Sequence, residues 1–202
     1  MKISRKKILK VSIVVLSVLL LLVGVRLVIF LINRADYQTP DTSDWQSGYI
    51  FFSVGDSWKS DAVRSMTALS GHAATDSTPS HCGFVLMGPD GPLLVHESTT
   101  RKQIVAQTPM EYISREGGYC VYALPVKNGL DTVKLRRDIE QMLAAGTPFD
   151  FNFDHNDTTA LYCSELVVTL FEKNGRDDLT PLRQEQYIYP RHILEYIRAP
   201  GM

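Results

Sequence analysis

The sequence predicts an α+β domain, an antiparallel sheet packed with helices, preceded by one N-terminal transmembrane helix. Three observations carry this. Residues 11–32 are an apolar run. After residue 48, short β-rich runs are separated by turn residues. Between them lie segments with apolar residues at helical spacing and capping residues at their ends. Composition narrows the field. With 202 residues, 45% hydrophobic and 21% charged, the chain is too apolar for disorder. Three cysteines are too few for a disulfide framework. A net charge of −1 argues against a general nucleic-acid binder. That charge sums two unlike parts. Residues 1–34 hold seven of the 21 basic residues and no acidic ones, so the remainder carries 14 basic against 22 acidic residues, a net of −8.

The leader comes first. Residues 1–10 contain five Lys or Arg and read as a cytoplasmic basic segment. Residues 11–32 (VSIVVLSVLLLLVGVRLVIFLI) have 18 apolar positions of 22. As a helix they reach about 33 Å, enough to cross a bilayer. The run continues past Arg26 and no Ala-x-Ala site follows, which favours an uncleaved signal anchor over a cleaved signal. The body is then extracytoplasmic, periplasmic or extracellular. Arg26 either snorkels to the outer interface or faces a partner helix. Residues 33–47 read as a linker, and residues 48–202 as one domain with one core.

Within that domain Tyr49–Val54 is a strand. Gly55-Asp56-Ser57 ends it, and Trp58, Ala62, Val63, Met66 and Leu69 mark an amphipathic helix up to Gly71. Residues 71–80 are a polar loop. Cys82–Met87 and Leu93–Glu97 flank Gly88-Pro89-Asp90-Gly91 as a hairpin. Gln103–Ala106 is a further strand. Thr108-Pro109 opens a short helix to Arg115, and Tyr119–Leu124 is the last strand. A helix runs from Asp131 to Ala145, closed by Gly146. After a loop with Asp150, Asp154 and Asp157, a helix spans Leu161 to Asn174. The remainder is loop, with a short helix after Pro190.

Three residues are candidates for chemistry. Cys163 lies at the start of a helix, where the macrodipole and free N–H groups favour a thiolate. On position alone it is equally a small buried hydrophobe. His81, at a strand mouth, could serve it as base or could be an ordinary surface residue. Glu97 depends on the hairpin. A three-residue loop with Gly91 in the left-handed conformation sets Gly88 against Pro92 and Gly83 against Glu97. His81 and Glu97 then share a face, and His96 points to the other. A carboxylate there would orient the imidazole. An even-length loop reverses this and favours His96.

Taken together, Gly48-x-Ile50-Phe51-Phe52, Ser80-His81-x-Gly83-Phe84-Val85, Val95-x-Glu97 and Tyr162-Cys163-Ser164-Glu165-Leu166-Val167 resemble the permuted papain-like amidases. These are the YiiX/YaeF type of the NlpC/P60 superfamily, peptidase family C92. The resemblance covers residues 48–195, with the histidine before the cysteine as in the permuted branch. It implies a circularly permuted papain-like (NlpC/P60) fold. It implies Cys163 as nucleophile, His81 as base, Glu97 as orienting residue and Tyr162 beside the substrate. Tyr49 and Cys82 depart from the usual residues of the pattern.

The function expected is that of a membrane-anchored cysteine hydrolase, an amidase or peptidase acting on cell-envelope amide bonds such as those of peptidoglycan peptides. The alternatives are a lipid-directed acyltransferase or thioesterase with the same Cys–His site, and a non-catalytic binding module. No cofactor is expected. The five histidines and three cysteines show no zinc spacing, so no metal is expected either. The expected partners are the bilayer, through residues 11–32, and an envelope peptide or lipid substrate. Cys82 and Cys120 are either both free or paired. The aspartate loop reads as a helix cap with solvated neighbours rather than a calcium site.

Overall fold

The computed structural model describes residues 12, 14–25, 39–55, 57–75, 77–154 and 159–199. Residues 14–25, in the first of two compact units, are helical (α1). Much of the expected 11–32 span, and residues 33–38 of the expected linker, lie outside the described residues. Among those described, no helix is long and apolar enough to cross a membrane.

The second unit, residues 38–202, contains the α+β architecture. Its elements are β1 Ile50–Gly55, α2 Trp58–Leu69, β2 His81–Gly88, β3 Gly91–Ser98, β4 Gln103–Gln107, α3 Pro109–Glu116, β5 Gly118–Leu124, α4 Thr132–Ala145, α5 Cys163–Lys173 and α6 Pro190–Arg198. A 3-10 turn over Thr180–Gln184 interrupts the segment expected to be loop. The strands form one antiparallel sheet in the order β4-β3-β2-β1-β5.

Local chemistry explains the boundaries. Ser57 caps α2, accepting from the Ser60 N–H. Thr108 and Glu111 form a capping box on α3, and Pro109 fits the first turn, where its missing N–H costs nothing. Asp131 accepts from the Val133 and Lys134 N–H groups at the start of α4, and Gly146 ends it in the left-handed conformation. The helix expected from Leu161 begins two residues later, at Cys163. The Leu161 backbone is drawn into bonds with Pro148 and Asp150 instead.

The hairpin corrects one expectation. Gly88 faces Gly91, Met87 faces Pro92 and Phe84 faces Val95, so the loop has two residues, Pro89 and Asp90. Gly91 still takes positive φ, but as the first residue of β3 rather than the last of a three-residue loop. Every β3 residue therefore moves one place, which sets Gly83 against His96 and Cys82 against Glu97.

One face of the sheet carries Phe52, Cys82, Phe84, Leu86, Val95 and Ile104 into a core shared with Leu166, Val167, Leu170 and Phe171 of α5. Gly83 is where the other face is tightest. A Cβ there would collide with the Val95 carbonyl oxygen and lie 2.7 Å from the Phe51 ring and 3.1 Å from the His96 Cβ. Two of those neighbours are backbone or a buried ring and cannot give way. Gly83→Ala is therefore expected to cost about 3 kcal/mol, at the upper end of overpacking penalties, read as a lower denaturant midpoint.

Cys82 and Cys120 lie on strands either side of β1, Cys82 against Phe52 and Cys120 against Val54. Two strand spacings put their backbones about 10 Å apart, beyond disulfide reach. All three cysteines are free. The aspartate loop differs from expectation as well. Asp150 is buried, and its carboxylate accepts from the Asn152 and Asp154 N–H groups. Asp157 lies outside the described residues.

Candidate active site

The site sits where the start of β2, the end of β3 and the N-terminus of α5 meet. Each element supplies one expected residue. His81 is the first residue of β2, Glu97 is next to last in β3, and Cys163 is the first residue of α5. Their ligand atoms, one from each side chain, all lie within 4.8 Å of one another. His81 Nδ1 is 3.6 Å from Glu97 Oε1. The fold thus assembles Cys163, His81 and Glu97 from positions spread over 83 residues.

By strand alternation alone the revised register separates His81 from Glu97, since it aligns Glu97 with Cys82. His81 escapes this because it stands at the strand's end. Its ring contacts Phe51, His96 and Tyr112 on one side of the sheet, at centroid distances of 6.2, 5.1 and 5.9 Å. Its Nδ1 faces Glu97 on the other. The Tyr112 ring lies nearly parallel to it, at 21°. These contacts fix the imidazole plane.

His96, set on the far face by the sequence reading, meets His81 directly. His81 Nε2 is 3.2 Å from His96 Nδ1, and His96 Nε2 is 2.9 Å from Gln107 Oε1. His96 Nδ1 also lies 2.7 Å from the Glu97 carbonyl oxygen. With Nε2 turned to the Gln107 oxygen, His96 Nδ1 accepts from the His81 Nε2–H. With Nε2 engaged, Nδ1 is the nitrogen left for Cys163. The missed signal was the loop length alone, because an even loop is what brings His96 to this side.

Charge in the cluster is strongly redistributed. Burial pulls His81 down, but Glu97 and the Cys163 sulfur outweigh it and raise its pKa to about 9. The Cys163 thiol falls well below its ordinary value. A hydrogen bond from Cys82 acts first, and the charge and hydrogen bond of His81 add to it against burial. Burial pushes the Glu97 carboxyl well up, opposed by His81 and helped by the Cys163 thiolate. Glu97 Oε2 is buried without a hydrogen-bond partner. Burial and the nearby His81 push His96 down to about 3, so it stays neutral. The favoured state is a Cys163 thiolate beside a His81 imidazolium, with Glu97 facing the same ring.

The N-terminus of α5 adds to this. Its N-cap, Tyr162, makes no side-chain capping bond, so the first N–H groups of the helix are not taken by a cap. Tyr162 itself, expected beside the substrate, is buried. Its hydroxyl accepts from the Ile188 N–H, and its ring lies 5.4 Å from Phe153. Phe151 and Phe153 precede it and are exposed, at 57% and 39%. They make an apolar shoulder in the chain leading to the nucleophile. Ser164 completes the cluster, its hydroxyl 3.6 Å from the Cys163 sulfur and 3.8 Å from that of Cys82.

A thiolate, a proton-bearing imidazole held by a second ring, and helix N–H groups are the parts needed for acyl transfer. The same three side chains offer sulfur, nitrogen and oxygen donors that could hold a metal ion.

Comparison with known proteins bears on the family and the fold. A family model described as "Permuted papain-like amidase enzyme, YaeF/YiiX, C92 family" matches residues 59–192. Among solved structures, the chain is similar to a crystal structure of metalloprotein yiiX from Escherichia coli O157:H7. The TM-score is 0.56 and the identity 23%, over 74% of this chain and 92% of that one. That likeness is one of fold. No curated protein matches the chain.

Proposed function

The chain belongs to the permuted papain-like amidase family, and from that premise we propose that it is a membrane-held cysteine hydrolase that cleaves amide bonds of the cell envelope, such as those of peptidoglycan peptides. The observation that carries this is the convergence of Cys163, His81 and Glu97 at the N-terminus of α5. The Cys163 thiolate attacks the amide carbonyl, and the N–H groups at the start of α5 stabilise the oxyanion. His81 gives its Nδ1 proton to the leaving amine. Water, deprotonated by His81, then attacks the thioester and releases the acid. His96 holds the imidazole at Nε2, and Glu97 faces the ring 3.6 Å from Nδ1. The anchor is residues 11–32, by virtue of their apolar length and the basic residues before them, which puts the catalytic domain outside the cytoplasm.

A second reading has its own support. The exposed Phe151 and Phe153 beside Tyr162 suit an acyl chain better than a charged peptide. A thioesterase or acyltransferase acting on lipid would use the same Cys–His chemistry.

Metal also has a place in the proposal, since the solved neighbour is described as a metalloprotein. Cys163 sulfur, a His81 nitrogen and a Glu97 oxygen form a fitting set for a zinc-like ion. Such an ion would be a Lewis acid, and holding it would engage the sulfur that otherwise acts as nucleophile.

One experiment separates these readings. The purified full-length chain is incubated with muropeptides and with acyl-lipids, each with a chelator and with added zinc. Release of peptide amines, unaffected by chelator and lost in Cys163→Ala, is the expected result. Turnover of acyl-lipids alone would replace the amidase reading with the lipid one. Activity that requires zinc would overturn the thiolate mechanism.

A further inference from the structure

Cys82 is a buried thiol that the hydrolytic mechanism does not need. It is fully buried on β2, directly after His81. Its sulfur and that of Cys163 share one hydroxyl, Ser164 Oγ, at 3.8 and 3.6 Å. Cys82 also lies opposite Glu97 across the β2–β3 pair, and Glu97 belongs to the same cluster as Cys163. We propose that Cys82 is a resolving thiol, which captures oxidised Cys163 as a Cys82–Cys163 disulfide and so protects the nucleophile from irreversible oxidation.

The chemistry needs a hydroperoxide as oxidant. The Cys163 thiolate attacks one oxygen of the peroxide, the O–O bond breaks, and a sulfenic acid forms. The departing alkoxide or hydroxide takes the His81 proton. Sulfur is oxidised by two electrons and the peroxide is reduced. The Cys82 sulfur then attacks the Cys163 sulfur. The S–S bond forms, the S–O bond breaks, and the hydroxyl leaves with the Cys82 proton as water. In total, two thiols and one hydroperoxide give one disulfide, one alcohol or water, and one water.

The surroundings suit this division of labour. Cys163 is the partly exposed member of the pair, and its thiolate is the form that peroxide oxidises. Cys82 is fully buried, so peroxide meets Cys163 first. Cys120 is exposed and lies across β1 from Cys82, too far to compete. Closing the bond requires the sulfurs to come to about 2.05 Å, a local adjustment at the first turn of α5.

The inference rests on the reactive-thiolate part of the function proposed above and not on its substrate. The test uses the full-length chain, hydrogen peroxide and an iodoacetamide thiol probe. The reduced protein should label at Cys163. After peroxide, labelling should be lost, and a non-reducing digest should contain a linked Cys82–Cys163 peptide pair. Dithiothreitol should restore labelling. In Cys82→Val the same peroxide should leave Cys163 as sulfinic or sulfonic acid, and dithiothreitol should no longer restore it. Cys120→Ser should behave as wild type. The proposal is overturned if wild-type Cys163 labels when reduced but oxidises to sulfinic acid without the linked pair. It is equally overturned if Cys82→Val recovers as fully as wild type. Absence of Cys163 labelling in the reduced protein would instead remove the reactive thiolate itself, and this proposal with it.

Discussion

Alkylation of Cys163 is expected to be fast and nearly independent of pH from mildly acidic conditions up to about pH 9. An ordinary cysteine would become reactive only as pH rises through about 8.5, where its thiolate forms. Here the thiolate already exists at lower pH, because Cys82 and His81 both favour it. The sign follows from the two shifts. A lowered thiol pKa makes the nucleophile available from the acid side. A His81 pKa raised to about 9 keeps the imidazolium in place until that pH. Above it the thiolate survives but the imidazolium proton is lost. Labelling should then continue while turnover falls, because the leaving amine has no proton donor. Cys163→Ala should abolish both. His81→Ala should lower turnover by about a hundredfold or more, the usual worth of a positioned acid–base group. It should also move the labelling midpoint up towards that of a free thiol. A stopped alkylation assay across pH on the wild type and His81→Ala decides the matter. Identical profiles would mean that His81 does not activate the sulfur.

Much of this arrangement was legible in the chain. Local signals were strong wherever one residue type has one use. Asp131 and Gly146 mark the ends of α4, Thr108-Pro109 opens α3, and alternating apolar residues mark β1 and β2. Cys163 and His81 were identifiable because their residue types and order match one family's pattern. Two things were not legible. The hairpin could close with two or three residues around Gly88-Pro89-Asp90-Gly91, since both loops place a glycine where positive φ is useful. That single residue decides whether His96 or Glu97 lines up with His81 by alternation. The structure takes the two-residue loop yet keeps both beside His81, because a strand-end side chain is not bound by alternation. The approach of Cys82 to Cys163 was hidden as well. Spacing along the chain reveals metal or sulfur pairs only when they lie on one element, and Cys82, Glu97 and Cys163 come from three.

The contrast between His96 and Glu97 gives the second large effect. If Glu97 were an anionic partner like the aspartate of a serine-protease triad, Glu97→Gln would cost about ten-thousandfold. Its Oε1 lies 3.6 Å from His81 Nδ1, beyond hydrogen-bond length, and its Oε2 has no partner, so it does not hold the ring as that aspartate does. An amide is then a close substitute, and Glu97→Gln should cost about tenfold or less, within the range of a neutral hydrogen bond. His96 holds the other nitrogen of His81 and is itself held by Gln107. Its loss frees the imidazole to rotate and leaves His81 Nε2 buried without a partner. His96→Ala should therefore lower turnover by about a hundredfold, the upper range for groups that orient a catalytic side chain from behind. His96 is fully buried, so His96→Asn provides the control for folding, because it retains an acceptor for Nε2. It should recover part of the loss, with a thermal midpoint near wild type. The measurement is turnover and Cys163 alkylation in all three variants. A Glu97→Gln loss far larger than that of His96→Ala would restore Glu97 as the charged member. Equal, small losses in both would mean that the Phe51 and Tyr112 rings alone hold His81 in place.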